Sequence, residues 1–232
     1  MKKTITIKAI MKRIPTIKRT IAAFFSALII CFTCTSTAIA ATNDRIFFGA
    51  GIDIGVEGVD TAWWLDNLSS KEIPAIVKSK GYSGSESYYT INANDAFGIL
   101  KNKAGIFAVE THGNATCVQF SNDTYIYKSQ IDSLPSGALK NVDLVVYGAC
   151  ECAKGGSSGS NMVNSTYNKG AKAVIGFEDT IYVDQTNQWL FDFFKSYSNG
   201  KSITESAKDG LYWAKFWNFG NAGGTDTYLI RQ

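Results

Sequence analysis

The sequence has 232 residues, with 23 Lys and Arg against 20 Asp and Glu, and a formal net charge of +3. Residues 1–41 hold seven basic side chains and no acidic one, so the rest of the chain has 16 basic against 20 acidic residues. The rest is therefore net acidic, and it carries neither a basic stripe nor a phosphate-binding motif. This pattern excludes nucleic acid as an expected partner.

The first 41 residues have the three parts of a secretory signal peptide. A basic start is followed by the apolar run IAAFFSALIICFTC and by small residues that include Ala38-Ile39-Ala40, an A-x-A cleavage triplet. The apolar run is too short for a comfortable membrane span. We therefore expect residues 1–41 to be removed and residues 42–232 to form one secreted, extracellular domain, with no stable membrane insertion after cleavage.

The domain begins with an apolar segment that predicts a strand over Arg45–Ile54. Apolar residues near a 3.6-residue period predict a helix over Trp63–Lys80, with a break or a second start at Pro74. A short helix is expected over Asn94–Lys103, with Asn94 as its N-cap. The chain thus starts with a strand and two helical segments.

The later segments continue this alternation. Short apolar runs predict four strands: Ala104–Thr111, Asp143–Tyr147, Ala171–Phe177 and Thr227–Ile230. A polar turn between two segments of alternating apolar and polar residues predicts a hairpin over Thr116–Tyr127. Helices are expected over Asn161–Lys169, Asp184–Ser198 and Ser202–Lys215. Buried strands that alternate with helices are typical of an α/β fold with a mostly parallel sheet flanked by helices.

Two reactive side chains follow buried strands of this predicted sheet. His112, the one histidine of the chain, follows the first of the listed strands, and Cys150 follows the second. Ligands in open α/β sheets bind beyond the carboxyl ends of strands. A thiol nucleophile needs a partner that moves a proton near neutral pH, which histidine does. The N–H groups of Gly113 and Cys150 could then form an oxyanion hole if the two strands are neighbours.

These residues resemble the caspase, legumain, clostripain and gingipain group of cysteine peptidases. The resemblance rests on IFAVETHG and DLVVYGAC, and downstream on GAKAVIGFED and NGKSITESAKDGLYWA, which are also similar to separase-like and CHAT domains. It covers most of residues 45–232 and implies a three-layer caspase-like fold. It further implies a cysteine endopeptidase with Cys150 as nucleophile and His112 as acid/base, which protonates the leaving amine, and it implies no metal or organic cofactor.

Two acids suggest a specificity for basic residues. Glu178 and Asp179 follow an apolar strand, and in gingipain-like and separase-like relatives an acid in the pocket region binds a basic residue before the scissile bond. After residue 41 the chain has two arginines, Arg45 and Arg231, both near its ends, so a caspase-type arginine pocket is poorly supplied. We expect cleavage after Arg or Lys, with Asp179 favoured over Glu178, although both acids could instead solvate a loop or cap a helix.

Other interpretations stay open. His112, Cys117, Cys150 and Cys152 could form a Cys3His zinc site, although the Cys-x-Cys spacing is shorter than usual. Cys152 could pack in the core or form a disulfide with Cys117. The domain could also be a non-catalytic exported binding or toxin-like domain on the same fold. Glycines and serines over Gly155–Ser160 predict a flexible surface loop, because they lack the Lys-Ser/Thr of a phosphate loop.

Overall fold

A computed structural model describes residues 44–53 and 60–232 of the chain. The predicted signal peptide, residues 1–41, lies outside these ranges, as does Ile54 at the end of the first predicted strand. No helix within the described ranges combines the length and the apolar character that a membrane crossing requires.

The described strands and helices alternate for most of the chain. The strands are β1 Ile46–Gly51, β2 Gly84–Tyr88, β3 Ala104–Glu110, β4 Gly113–Asn114, β5 Cys117–Phe120, β6 Thr124–Tyr127, β7 Leu144–Gly148, β8 Val174–Phe177 and β9 Tyr228–Arg231. The helices are α1 Trp63–Leu68, α2 Glu72–Lys80, α3 Ala93–Asn102, α4 Lys128–Asp132, α5 Met162–Asn168, α6 Val183–Ser198 and α7 Ile203–Trp217.

Six of these strands form one sheet in the order β2-β1-β3-β7-β8-β9. All neighbouring pairs are parallel except β8 and β9, which run antiparallel. The strands β4, β5 and β6 form a separate small sheet that contains the predicted hairpin. The predicted α/β class with a mostly parallel sheet is therefore confirmed.

The sheet is covered on both faces, which gives the fold three layers. On one face a core forms around Phe48, Phe107 and Val145 and includes buried residues of α3 and α5. On the other face Ile106 and Val146 pack with buried residues of α1, α2, α6 and α7. Because β1, β3 and β7 are buried on both faces, their sequences are continuous apolar runs rather than alternating ones.

The predicted helix Trp63–Lys80 is two helices, and the break lies before Pro74 rather than at it. The helix α1 ends at Leu68 and α2 begins at Glu72. Pro74 is the third residue of α2, in the first turn, where its missing N–H removes no intrahelical hydrogen bond. Gly81 ends α2 with a φ of 65°, a left-handed conformation that glycine adopts at low cost.

Two further expectations differ from the structure. The N-cap of α3 is Asn92 rather than Asn94, because the Asn92 side chain accepts a hydrogen bond from the Asp95 N–H at 3.0 Å. The strand β2 was not predicted because GSESY is polar and lies at an edge of the sheet, where burial does not impose an apolar sequence. The Gly155–Ser160 segment contains one short 3-10 turn over Gly156–Ser158.

A charged cluster closes the amino-terminal end of the sheet. Asp143, just before β7, accepts hydrogen bonds from Tyr82 at 2.6 Å, from Lys172 at 2.6 Å and from Arg45 at 3.0 Å. Burial of Asp143 opposes ionisation, but the bonds from Lys172 and Tyr82 and the charge of Arg45 outweigh it and hold the pKa of Asp143 below its ordinary value. The cluster joins the starts of four strands, since Arg45, Tyr82 and Lys172 precede β1, β2 and β8.

Candidate active site

The two strands that precede His112 and Cys150 are neighbours in the sheet. Strands β3 and β7 pair in parallel with Glu110 opposite Gly148, so the chain leaves both strands at the same edge. His112 and Cys150 lie in these exits and line one cavity of about 290 Å³. The structure thus brings the two predicted catalytic side chains to the same cavity, at the end of the sheet where α/β proteins bind ligands.

The backbone turns sharply immediately after Cys150. Glu151 has a φ of 53°, in the left-handed region, where non-glycine residues are uncommon. Two hydrogen bonds hold the turn against the segment that follows β8, because the Glu151 N–H donates to the Asp179 carbonyl at 3.0 Å and the Ala153 N–H donates to the Phe177 carbonyl at 2.9 Å. These bonds to β8 and the segment after it hold Glu151 in its left-handed conformation. The turn at Glu151 in turn fixes the direction of the chain after Cys150.

The Cys150 thiol lies against the backbone of Ile181. Its sulfur is 3.5 Å from the Ile181 nitrogen and 3.7 Å from the Ile181 carbonyl oxygen. The N–H can donate to a thiolate, and the carbonyl can accept from the protonated thiol. The backbone N–H of Cys150 donates no hydrogen bond to any residue in the described ranges. The half-buried thiol is thus oriented by Ile181, while the N–H of its own residue is left for a ligand.

His112 is exposed at the rim of the cavity, and its imidazole makes no hydrogen bond to the part of the chain that the structure describes. Its backbone carbonyl accepts a hydrogen bond from the Gln119 N–H at 2.9 Å, which ties it to the small sheet. Gly113 follows in close contact with the turn after β7. A Cβ on Gly113 would lie 2.9 Å from the Ala149 Cβ and 3.0 Å from the Cys152 sulfur. Glycine is therefore required there for the two strand exits to approach each other.

Cys152 has a different environment from Cys150. It is fully buried, and burial, together with the neighbouring Cys150 and Cys117, raises the pKa of the Cys152 thiol well above its ordinary value. A buried thiol held in its protonated form is a poor nucleophile. Cys117, Cys150 and Cys152 are all free thiols in the structure, so the possible Cys117–Cys152 disulfide is not formed in it.

The four residues of the possible zinc site do not assemble as ligands. Among residues 44–53 and 60–232, no group of three or more His, Cys, Asp or Glu side chains is placed to hold a metal ion. Cys152 faces Gly113 in the interior, and His112 is exposed. The arrangement gives no support to a Cys3His site.

Glu178 and Asp179, the two acids predicted to bind a basic substrate residue, directly precede two cavity residues in the sequence but do not line the cavity themselves. Thr180 and Ile181 line the cavity, whereas Glu178 and Asp179, just before them, do not. Asp179 is exposed, and the Glu178 carboxylate points toward Gly156, where a Cβ would lie 3.5 Å from its oxygens. The prediction that Asp179 reads the substrate stays a prediction, and the structure offers no contact between its side chain and the cavity.

The cavity also contains an acid that was not predicted from the sequence. Glu110, the last residue of β3, is 2% exposed and lines the cavity with His112 and Cys150. Neither of its carboxylate oxygens has a hydrogen-bond partner in the described ranges. One signal could have revealed it, because a single charge stands in the otherwise apolar segment AGIFAVE, two residues before the histidine.

Comparisons with known proteins place this geometry in a structural context. No family model and no curated protein matches the sequence. Solved structures do match: gingipain R, an Arg-specific cysteine proteinase, gives a TM-score of 0.60 at 10% identity over 82% of this chain and 46% of its own. A structure described as a protease gives 0.64 at 16% identity over 81% and 46%. The complex of pro- and mature RgpB domains of Porphyromonas gingivalis gives 0.62 at 8% identity over 81% and 46%.

These similarities confirm the fold that the sequence motifs suggested. The chain has the caspase-like α/β fold, and its fold relatives are cysteine peptidases. The chain spans about half the length of the matched structures, and at these identities the likeness concerns the fold alone. Activity, substrate and site residues therefore have to be argued from the geometry of this chain.

Proposed function

We propose that the protein is a secreted cysteine endopeptidase that cleaves peptide bonds with Cys150 as nucleophile and His112 as acid/base. The observation that carries the proposal is the placement of these two side chains in one cavity, at the carboxyl ends of adjacent parallel strands. The fold, shared with cysteine peptidases, supports the same chemistry. Residues 1–41, with the pattern of a signal peptide, support export.

In the proposed reaction the Cys150 thiolate attacks the carbonyl carbon of the scissile peptide bond. The Ile181 N–H, 3.5 Å from the sulfur, stabilises the thiolate before the attack. The negative charge that develops on the substrate oxygen is stabilised by the N–H groups of Cys150 and Gly113. His112 then protonates the leaving amine, and water hydrolyses the thioester with His112 as base. The chain's own groups supply each of these roles, so no metal or organic cofactor is required.

The proposed partners follow from this chemistry. The substrate is a peptide or protein whose chain binds across the cavity, and we propose cleavage after Arg or Lys. No nucleic acid partner is proposed, because the chain after residue 41 has 16 basic against 20 acidic residues. No stable membrane insertion is proposed after signal cleavage, because the apolar run IAAFFSALIICFTC lies within residues 1–41.

Two measurements on the purified protein without residues 1–41 test the proposal. A peptidyl chloromethyl ketone library, followed by mass spectrometry of tryptic peptides, should show alkylation of Cys150 in preference to Cys117 and Cys152, which are both buried. A positional library of fluorogenic peptides should show cleavage in the same preparation. Labelling spread evenly over the three thiols, with no cleavage of any library member, would contradict the proposal and favour a non-catalytic domain.

A further inference from the structure

The Glu110 carboxyl is the least satisfied polar group of the candidate site. It is almost completely buried, and both its oxygens lack a hydrogen-bond partner in residues 44–53 and 60–232. A buried polar group without a partner costs free energy that folding has to offset. In native structures such a group usually has a ligand, a water or an ion as its partner.

The strands on either side of this carboxyl carry glycine beside it. In the parallel register the residues on either side of Glu110 are Gly51 of β1 and Gly148 of β7. Other segments pack over both glycines: a Cβ on Gly51 would lie 2.3 Å from the Thr61 carbonyl oxygen, and a Cβ on Gly148 would lie 3.3 Å from the Thr186 side chain. Thr61, Gly148 and Thr186 line, together with Glu110, the cavity of about 290 Å³. The two glycines therefore let these segments close around the carboxyl and form the wall of the cavity.

The charges around Glu110 favour a cation. Burial raises the pKa of Glu110 well above its ordinary value, and the nearby carboxylates of Asp60 and Asp184 raise it further. Asp60 and Asp184 line a second cavity of about 240 Å³. Their neighbours in the sequence, Thr61 and Val183, line the first cavity. No Lys or Arg in the described ranges lines either cavity, and His112 is the one basic side chain in their walls.

We propose that Glu110 is the floor of the subsite next to Cys150 and binds the cationic side chain of the substrate residue that precedes the scissile bond. This inference rests on the proposed peptidase function and assigns its specificity to Glu110 rather than to Asp179. On binding, the Glu110 carboxylate pairs with the guanidinium or ammonium group, and those molecules in which Glu110 is protonated release that proton to solvent. The substrate cation thereby provides a partner that no residue in the described ranges supplies.

The first test compares substrates that differ in charge and hardly in shape. Matched fluorogenic peptides carry arginine or its neutral analogue citrulline before the scissile bond. We expect the wild-type chain to prefer arginine, and Glu110→Gln to lower the arginine-to-citrulline ratio of kcat/KM by about 10²-fold or more, the scale of leaving one partner of a buried ion pair uncompensated. Glu72→Gln, which removes a buried carboxyl of α2 outside the cavity, should leave the ratio unchanged. If Asp179→Asn rather than Glu110→Gln removes the preference, the inference is wrong.

The second test does not depend on turnover. Benzamidine, a small cation, and neutral benzamide are titrated calorimetrically into the wild-type and Glu110→Gln proteins in two buffers of different ionisation enthalpy. We expect the wild type to bind benzamidine more tightly as the pH rises and to release protons on binding, because burial raises the pKa of Glu110 and only its carboxylate form pairs with the cation. His112 is the one basic side chain in the wall, so His112→Gln serves to separate its contribution. Equal benzamidine affinity in wild type and Glu110→Gln would overturn the inference.

The outcomes separate the two proposals. Cleavage with no dependence on Glu110 refutes the subsite and leaves the peptidase in place. Benzamidine binding that depends on Glu110, without cleavage of any peptide or labelling of Cys150, supports the cation subsite and refutes the peptidase.

Discussion

The two ends of the central sheet place a carboxyl group in opposite environments. At the amino-terminal end Asp143 has three hydrogen-bonding partners, Tyr82, Lys172 and Arg45, and its pKa is lowered. At the carboxyl end Glu110 is more deeply buried, has no partner in the described residues, and has a raised pKa. The same chemical group stabilises the fold at one end and opposes it at the other.

This difference indicates that one end of the sheet contributes to stability and the other to function. A charge that the chain itself neutralises serves the fold, and its loss should affect stability alone. A buried carboxyl that no described residue satisfies lowers stability, and function commonly maintains such a group. Cys150 and His112 share the unsatisfied end, so substitutions there should affect catalysis, whereas substitutions around Asp143 should affect unfolding.

The largest effect is expected at the nucleophile. Cys150→Ala should lower kcat/KM on the preferred library peptide by about 10⁴-fold or more, the scale seen when a nucleophile is removed. The fold should remain, as measured by circular dichroism and thermal unfolding. Cys152→Ala, two residues on and buried, should keep most of the activity. An active Cys150→Ala together with an inactive Cys152→Ala would show that the wrong thiol was assigned.

The acid/base residue should have the next effect. His112→Ala should lower kcat by about 10²-fold or more, which is the usual contribution of a positioned proton donor. Lys103→Ala, which removes an exposed charge at the other end of β3, should leave kcat unchanged. Steady-state kinetics on the same peptide give both values, and an unaltered kcat in His112→Ala would refute its catalytic role.

At the opposite end the expected effect is on stability. Asp143→Asn should lower the free energy of unfolding by about 2 kcal/mol at neutral pH, because bonds to charged partners contribute more than neutral ones. The pKa of Asp143 is lowered in the folded state, so its contribution is present above the unfolded pKa of about 3.9 and is lost as the pH falls through the folded pKa. Urea unfolding of wild type and variant at several pH values should therefore converge in acid. A constant difference at all pH values would contradict the ionic role.

The smallest effect has the reverse sign. Glu110→Gln should raise the free energy of unfolding at neutral pH by less than the change expected for Asp143→Asn, since the variant removes the cost of ionising a buried carboxyl. The folded pKa of Glu110 is raised, so the destabilisation is absent below the unfolded pKa of about 4.3 and grows as the pH rises from there toward the folded pKa. The same urea series should show wild type and Glu110→Gln alike in acid and separated at pH 7. A less stable Glu110→Gln at pH 7 would indicate a structural partner for the carboxyl.

Most of the central sheet could be predicted from the sequence, and so could two residues of the candidate site, His112 and Cys150. The apolar runs of β3, β7 and β8 identified the sheet, because strands covered on both faces must be apolar throughout. His112 and Cys150 could be predicted to lie at one edge of the sheet because each follows such a run, and ligands of α/β sheets bind beyond the carboxyl ends of the strands. The neighbouring order of β3 and β7 could not, because pairing depends on crossovers that a single sequence does not encode locally.

Other parts of the site depend on contacts between distant residues. The Ile181 backbone reaches the thiol through the segment after β8, and no side-chain pattern marks a backbone contact. Edge strand β2 and helix α4 lack the apolar periodicity on which prediction relies. Glu110 was visible in the sequence as a charge within a buried strand, but its place in the cavity depends on strand pairing and on the segments around Thr61 and Thr186.

The turn after Cys150 also has a consequence for hydrogen exchange. The amide protons of Glu151 and Ala153 are bonded to the carbonyls of Asp179 and Phe177 across to the next strand. They exchange with solvent only when these two segments separate. Their protection against deuterium therefore reports whether the nucleophile is held in place, and mass spectrometry of the peptides around Cys150 can read it before any substrate is known.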